Sequence, residues 1–350
     1  MTRNAVLTPR RGSPDPQGRP LLSVVVPAYK EAGNVERLHQ QLLLALTPLE
    51  WPWELIIVDD GSPDTTWEHI VELHGRDPRV KGLRLSRNFG HQYALVAGLS
   101  EACGDVVVTM DSDLQHPPSV IPRLIDEWRR GSKIVHTVRL DPPGLSWGKK
   151  VTSRMFYRVF SFLSGVPLSP GMADFRLLDR QVVTEILKLR EMGLFLRGLV
   201  QWVGYPSSRV EFECGDRFAG NSSYSYRRML RFAWTGITSF SIVPLRLAIL
   251  LGLLTSLSAF CELFAALWTK LFTNEAVPGW TSIVGLVSLL FGILFILIGI
   301  VGEYIARILE EVRGRPRFII SEMTEGEEPA TLPADGTSYA IARTEGTRPR

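Results

Sequence analysis

Cysteine is scarce in this chain of 350 residues. The three present, Cys103, Cys214 and Cys261, are far apart, odd in number and without metal-ligand spacing. That excludes a disulfide framework and a thiolate metal centre, and it fits reduced packing residues in a reducing compartment. Neither Gly-x-Gly-x-x-Gly nor Gly-x-x-x-x-Gly-Lys-Ser/Thr occurs, which argues against a dinucleotide dehydrogenase and a P-loop ATPase. The N-terminus lacks an apolar h-region, so no cleaved signal peptide is expected. No self-similarity at a period of about 20–50 residues points to a repeat architecture. A net charge of +3 is too small to argue for a nucleic-acid partner.

Long apolar runs, by contrast, are present. Hydrophobic residues make up 45% of the chain and are unevenly spread: residues 282–302 carry no charge, and residues 247–268 carry only Glu262. Each stretch matches the ~20 residues that cross a hydrocarbon core, the alternative being two buried core helices. Arg227, Arg228, Arg231 and Arg246 precede the first stretch and Arg307, Arg313, Arg315 and Arg317 follow the second, while residues 269–281 hold one base, Lys270. This asymmetry predicts an external loop at 269–281, cytoplasmic flanks and termini, and residence in the cytoplasmic membrane. Before the first span, Leu230, Trp234, Ile237 and Ser241 recur at helical spacing with three arginines at the start. Residues 227–246 therefore read as an amphipathic helix lying in the bilayer interface or docked on the soluble part of the chain. Residues 1–20 read as a disordered leader, and the acidic end after about residue 322 as a disordered tail.

Between these lies a segment, 21–226, in which strand-like runs at Leu22–Val26, Glu54–Val58, Val80–Leu85, Asp105–Met110 and Lys133–Val138 alternate with segments of helical period. The alternation predicts an α/β fold, a mainly parallel Rossmann-like sheet with helices on both faces. The fourth run opens into Asp111-Ser-Asp113-Leu-Gln115-His116-Pro-Pro. Two carboxylates and an amide oxygen at the carboxyl end of a buried strand suit a hard divalent cation, Mg²⁺ or Mn²⁺, that neutralises a substrate diphosphate; a lone Asp-x-Asp is otherwise an ordinary solvated loop. After the first run, Pro27-Ala-Tyr29-Lys-Glu31, with Asn34 as a helix cap, puts a ring and an acid where a nucleobase could stack, or else forms a turn with a packed tyrosine. Asp59-Asp60-Gly-Ser places carboxylates after the second run, where one can accept the imide N–H of uracil. Arg87, after the third run, suits a phosphate or ribose edge, or a structural ion pair.

Val24-Val25-Val26-Pro27-Ala28-Tyr29-Lys30-Glu31, Ile57-Val58-Asp59-Asp60-Gly61-Ser62, Arg87-Asn88-Phe89-Gly90 and Asp111-Ser-Asp113-Leu-Gln115, in that order, resemble the GT-A domain of family 2 glycosyltransferases. Ala173-Asp174-Phe175-Arg176-Leu177-Leu178-Asp179-Arg180, Phe195-Leu-Arg197-Gly198 and Arg217-Phe218-Ala219-Gly220-Asn-Ser-Ser223-Tyr224, with two C-terminal spans, narrow the resemblance. They are similar to the polyprenyl-phosphate glycosyltransferases, the group of the dolichol-phosphate mannose synthases and bacterial GtrB-like enzymes. The resemblance implies nucleotide-sugar contacts from Pro27, Tyr29, Glu31, Asp60, Arg87 and Asp111, with Asp60 on the base and Asp59 ordering the turn. It also implies a metal on Asp111, Asp113 and Gln115 and an acceptor phosphate met by Arg139, Arg176 and Arg197. Asp174 would orient the phosphate, act as a base, or hold Arg176 and Arg197 by charge pairing. One position departs from the family: Ser223 stands where relatives often carry lysine, so phosphate contacts in that loop do not transfer residue for residue.

The implied activity is inverting transfer of a hexose, glucose from UDP-glucose, to undecaprenyl or another polyprenyl phosphate at the cytoplasmic face, giving a lipid-linked sugar for surface glycan or lipid modification. Such an enzyme meets a nucleotide sugar, a lipid acceptor and the membrane, and self-association through the membrane and C-terminal segments is allowed. A processive polysaccharide synthase is disfavoured by the lack of Gln-x-x-Arg-Trp and by having only two spans. A non-catalytic nucleotide-binding scaffold is disfavoured by intact Asp60, Asp111 and Asp113.

Overall fold

A strand flanked by helices on both faces must be apolar on both, and two such strands, Leu22–Ala28 (β1) and Trp53–Asp59 (β2), are buried along their whole length. They form the centre of the sheet in the computed structural model, which describes residues 17–140, 172–189, 195–213, 243–272 and 279–324. The other strands are Val80–Leu85 (β3), Val106–Thr109 (β4), Ile134–Arg139 (β5), Met172–Asp179 (β6), Ser207–Phe212 (β7) and Ile320–Met323 (β8). The eight-stranded order is β7-β5-β6-β4-β1-β2-β3-β8. β1 is parallel to β2 and β4, β2 to β3, and β5 to β7; β6 runs antiparallel between β4 and β5, and β8 antiparallel to β3. All five strands expected from the sequence are present. The three it did not announce are a charged one (β6), an exposed one (β7) and a short one (β8).

Helices Val35–Leu46 (α1), Thr66–Arg76 (α2) and Ile121–Arg129 (α4) cover one face, where Leu38, Leu42, Ile70, Leu73, Ile121 and Leu124 share a core with Val24, Val26, Leu55, Ile57 and Val108. His91–Glu101 (α3) packs on the opposite face against β1 and β2. At Gly98 a Cβ would lie 2.3 Å from Val25 Cγ1, so the helix reaches the sheet only because that position is glycine. Arg180–Lys188 (α5) and Leu196–Trp202 (α6) complete this unit's helices among the described residues. The chain winds from β1 through β2 to β3, then uses α3 to cross back to β4 on the other side of β1. The loops after β1 and β4 therefore leave the sheet in opposite directions, opening a crevice at the carboxyl ends of these two strands.

Two local expectations change. Asn34 occupies the N-cap position of α1 but makes no side-chain cap; its Nδ2 donates to Glu31 Oε2 instead. Order also persists beyond the expected start of the tail. Glu322 lies within β8 and accepts hydrogen bonds from Trp67 Nε1 (3.0 Å) and Arg84 Nη1 (2.9 Å), and Gly82 N donates to Thr324 Oγ1 (2.8 Å). The strand covers the otherwise unpaired edge of β3, and its three anchors, Trp67, Gly82 and Arg84, outweigh the polar look of the sequence there.

A second unit contains two helices, Val243–Phe272 (α7) and Trp280–Arg313 (α8), packed on each other. α7 contains the expected span 247–268, and α8 contains 282–302 and continues to Arg313. Leu253, Leu257 and Phe260 on α7 and Phe291, Phe295 and Ile298 on α8 are exposed, a surface far more apolar than water tolerates over such an extent. Among the described residues one stretch, Leu289–Arg313, is long and apolar enough to cross a membrane; the apolar stretch of α7, Leu245–Ser258, is shorter. The expected interfacial segment lies outside the described residues up to Ile242, as do residues 1–16 of the leader and 273–278 of the external loop.

Candidate functional site

The crevice is walled by four loops. After β1, Tyr29 is 42% exposed, with Lys30 Nζ 5.5 Å from the centre of its ring. The backbone turns there through Lys30 in the left-handed region (φ 61°), held by Lys30 N donating to Ser62 Oγ and Glu31 N to Thr66 Oγ1, both 3.0 Å. Burial pushes the Glu31 carboxyl above the usual range; the Asn34 hydrogen bond opposes this, and the negative charges of Asp113 and Asp111 add to it. Glu31 thus lies within electrostatic reach of the acidic loop.

After β2, Asp59 accepts from Ser62 N (2.9 Å), the turn-ordering part expected of it. Asp60 does something the sequence did not suggest. It is 3% exposed, and its two carboxylate oxygens accept from Phe89 N (2.8 Å) and Gly90 N (2.9 Å). Next to it Gly61 has φ 66°, and a Cβ there would stand 2.5 Å from the Arg87 carbonyl carbon. Asp60 and Gly61 together fix the loop after β3, so Asp60 acts first as the organiser of residues 87–90. Arg87 itself is exposed, its guanidinium 4.2 Å from the centre of the Phe89 ring, and it forms no ion pair with the described residues.

After β4, Asp111 N donates to His116 Nδ1 (3.0 Å), and the His116 ring stacks on Phe175 at 5.2 Å. That bond makes Nδ1 an acceptor and anchors the start of the acidic loop. Asp113 Oδ1 accepts from Gln115 N (3.1 Å) across Leu114, a second non-glycine residue in the left-handed region (φ 61°). Asp111 Oδ1 is buried and has no hydrogen-bond partner among the described residues. An anionic acceptor withdrawn from water in this way is costly unless a cation or donor meets it; His91 Nε2, 3.5 Å away, makes no hydrogen bond to it, so the donor set fits a divalent ion. Among the described residues no group of three or more His, Cys, Asp or Glu side chains gathers to hold a metal. Two carboxylates and Gln115 would leave the rest of the ion's shell to water and substrate phosphate, as Mg²⁺ prefers.

Beside this loop stands a charged cluster. Asp174, at the start of β6, is buried and accepts from Arg197 Nε (3.0 Å, to Oδ1) and Nη2 (2.8 Å, to Oδ2) and from Arg176 Nη2. Burial alone would raise its carboxyl, but Arg197, His91 and Arg176 hold it well below the usual range. Of the three roles open for Asp174, the geometry therefore provides charge pairing: its oxygens are occupied and its basicity is suppressed.

Arg176 departs most from expectation. At 2% exposure, turned onto Asp174, it has no surface for an acceptor phosphate and instead balances a buried charge. Its neighbour on Asp174, Arg197, is 28% exposed, and Arg139 is exposed at the carboxyl end of β5, so these two are placed to meet an anion. Pro27 lies within β1 and serves the strand end.

Sequence reasoning passed over His91. It starts α3, directly after the Arg87–Gly90 motif, and its Nε2 lies 3.5 Å from Asp111 Oδ1 and 3.6 Å from Asp174 Oδ2. Burial opposes protonation of this ring, but Asp174 and Asp111 prevail and raise its pKa above the ordinary value. Adjacency to the motif was the available signal; nothing in the sequence told that the ring would fall between two carboxylates.

A second histidine, His136 on β5, is 2% exposed and accepts from Gln201 Nε2 (3.0 Å) on α6. Burial, with Arg176 and Arg209 adding to it, lowers its pKa to about 3. The unfolded chain binds a proton here near pH 6.5 and the folded chain does not. Stability from this site is therefore complete above about pH 6.5 and falls by roughly 1.4 kcal/mol per pH unit on acidification toward pH 3. Chemical denaturation between pH 7 and 4 should show a steeper loss for the native chain than for His136→Gln; equal slopes would rule out a buried neutral ring.

The chain is similar to several known proteins. The model of the family described as Glycosyl transferase family 2 matches residues 23–187. An uncharacterised glycosyltransferase, YkcC, of Bacillus subtilis (strain 168) is 40% identical over 300 residues, 86% of this chain and 93% of its own. The SfII prophage-derived bactoprenol glucosyl transferase of Shigella flexneri is 38% identical over 310 residues, 87% of this chain and 99% of its own. Among solved structures, a mannosyltransferase from Pyrobaculum calidifontis in complex with GDP-Man and Mn²⁺ is 17% identical and covers 77% of this chain and 92% of its own, with a TM-score of 0.44.

Proposed function

Because the chain belongs to glycosyl transferase family 2 and is a glycosyltransferase, we propose that it moves glucose from UDP-glucose to undecaprenyl phosphate at the cytoplasmic face of the membrane. The observation that carries the reading is the pairing of two unlike features in one crevice: Asp111 Oδ1, which no hydrogen bond from the described residues satisfies, suited to a cation-bound diphosphate, and the partly exposed Arg197 on Asp174, suited to a second anion. Relatives of similar length named as bactoprenol glucosyl transferases support the acceptor.

In this reading the nucleobase stacks on Tyr29, and Arg87, positioned by Asp60, meets the ribose or diphosphate. A Mg²⁺ or Mn²⁺ ion on Asp111, Asp113 and Gln115 would supply positive charge to the departing diphosphate. Arg197 and Arg139 receive the acceptor phosphate and direct one of its oxygens at the anomeric carbon. That oxygen forms the new bond on the face opposite the diphosphate, whose bond to the sugar breaks, so the configuration inverts. No general base is required, because a phosphate monoester is already ionised at neutral pH. Asp174 is then free to act as the holder of Arg197.

The test uses membranes containing the full chain, radiolabelled UDP-glucose, and either undecaprenyl phosphate or undecaprenol. Label should enter lipid with the phosphate and fall by at least about a hundredfold with the alcohol, a difference of ~2.7 kcal/mol in transition-state stabilisation. Comparable transfer to undecaprenol would overturn the phosphate acceptor. Failure with UDP-glucose and success with another nucleotide sugar would overturn the donor alone.

The same reading places α7 and α8 across the bilayer with both flanks cytoplasmic, supported by the basic residues at the two outer ends. In a background with Cys103, Cys214 and Cys261 replaced by serine, cysteine at Asn274 or Gly279 should react with an impermeant thiol reagent added outside intact cells, and cysteine at Ser13 or Thr337 should not. The opposite labelling would also remove the donor argument, because nucleotide sugars are made inside the cell.

A further inference from the structure

The proposed reaction needs a donor diphosphate and an acceptor phosphate held in register although each is bound by a different part of the fold. Asp111 belongs to the loop after β4 and is anchored through its backbone on His116. Asp174 begins β6 and is anchored on Arg176 and Arg197. The two strands touch where Thr109 Oγ1 donates to the Asp174 carbonyl (2.6 Å), but their carboxylates are connected by one side chain, His91, whose Nε2 lies 3.5 Å from one and 3.6 Å from the other.

The backbone around that ring is fixed from both sides. Gly90 N donates to Asp60, while Tyr93 N and Ala94 N donate to Gly90 O at the first turn of α3. Gln92 Oε1 accepts from Leu196 N (3.0 Å), tying the same turn to the start of α6, the helix that carries Arg197. His91 is therefore held relative to the donor loop through Asp60 and relative to the acceptor arginine through Gln92. Its side chain is 41% exposed, more than a packing residue needs.

We propose that His91 is a positioning residue that orients Asp111 toward the donor's cation and links it to the Asp174–Arg197 pair, so that occupancy of the diphosphate site and of the acceptor-phosphate site are coupled through one ring. A ring edge 3.5 Å from one carboxylate oxygen limits how far that carboxylate can turn, and losing such a neighbour commonly costs a site tenfold or more in metal affinity. The same ring limits the freedom of Asp174, on which Arg197 is spread, so its removal should be felt by the acceptor as well. This inference rests on the donor and acceptor sites proposed above.

The experiment compares the full-length native chain, His91→Ala and His91→Gln by three measurements: Mn²⁺ binding in the presence of UDP, followed by electron paramagnetic resonance; the KM for undecaprenyl phosphate; and the melting temperature. The alanine variant should bind Mn²⁺ at least about tenfold more weakly and show a KM for the acceptor raised at least about threefold, with an unchanged melting temperature. Glutamine, whose amide N–H can still donate to a carboxylate, should recover most of both losses. Unchanged Mn²⁺ affinity in His91→Ala, or a change on one side of the site alone, would overturn the coupling. So would a parallel loss of both with a lowered melting temperature and no rescue by glutamine, since that is the signature of damaged packing. If the native chain itself bound no Mn²⁺ with UDP, the donor site proposed above would fall, a result distinguishable from failure of the His91 inference alone.

Discussion

Asp111→Asn should lower kcat by at least about a hundredfold, ~2.7 kcal/mol of transition-state stabilisation, while leaving the fold intact. The reasoning separates two properties of this residue. Its backbone N–H donates to His116 and survives the substitution, so the loop keeps its anchor. Its carboxylate contributes Oδ1, buried and without a hydrogen-bond partner among the described residues, and asparagine replaces half of that charge-bearing pair with an N–H₂ group. An amide can neither balance a divalent cation nor leave the diphosphate's charge equally stabilised. Steady-state kinetics over a range of Mn²⁺ concentrations, with the melting temperature as control, decides the matter. Retention of more than about a tenth of native kcat at saturating metal, under ~1.4 kcal/mol, would remove Asp111 from the catalytic machinery. Asp113→Asn should likewise spare the loop itself, because an amide oxygen can still accept from Gln115 N.

The second large effect concerns stability. Asp174→Ala leaves Arg176, 2% exposed, with a buried positive charge and no carboxylate, and takes from Arg197 the partner that holds it. Breaking a buried pair from one side costs roughly 3–5 kcal/mol, a large part of the 5–15 kcal/mol that typically separates folded from unfolded chains. At about 2–4 °C per kcal/mol for a domain of this size, the melting temperature should drop by roughly 6–20 °C. Removing the orphaned charge as well, in Asp174→Ala combined with Arg176→Met, should restore a good part of the loss, because an unbranched apolar methionine fills much of the site without needing a counter-ion. A single substitution that melts within a degree or two of the native chain, or a double one less stable than the single, would show that the cluster is not a buried ion-pair network. The double variant should fold yet transfer poorly, since Arg197 has lost its holder.

Much of the fold was legible because the evidence for it is local. β1, β2 and β4 announce themselves as apolar runs because strands buried on both faces are apolar at nearly every position, and β3 and β5 as shorter apolar stretches between polar residues. The acidic motif marks the mouth of β4 for the same reason: polar residues can follow so apolar a strand only where the sheet ends. β6 could not be found in this way. Its Asp174, Arg176 and Asp179 break the apolar run; Asp174 and Asp179 are tolerated because they meet Arg197, Lys133 and Trp128, all distant in sequence, and Arg176 because it shares Asp174. β8 is four residues of mixed character whose anchors, Trp67, Gly82 and Arg84, lie far earlier in the chain.

The sequence by itself determined which chemistry-bearing residues exist and at which strand ends they stand: Tyr29 and Glu31 after β1, Asp60 after β2, Arg87 after β3, and Asp111, Asp113 and Gln115 after β4. These follow from the period of the strands and the order of the motifs, which are properties of neighbouring residues. Only the tertiary structure decided how those residues are used. Asp60 turned out to brace a loop, Arg176 to neutralise a buried carboxylate rather than meet a ligand, and His91 to stand between two acids, because burial and charge pairing depend on which segments the switch between β1 and β4 brings side by side. A chain can specify an arginine at position 176 without specifying whether water reaches it; that depends on α6 and β6 closing over Asp174, and no window of local sequence contains both.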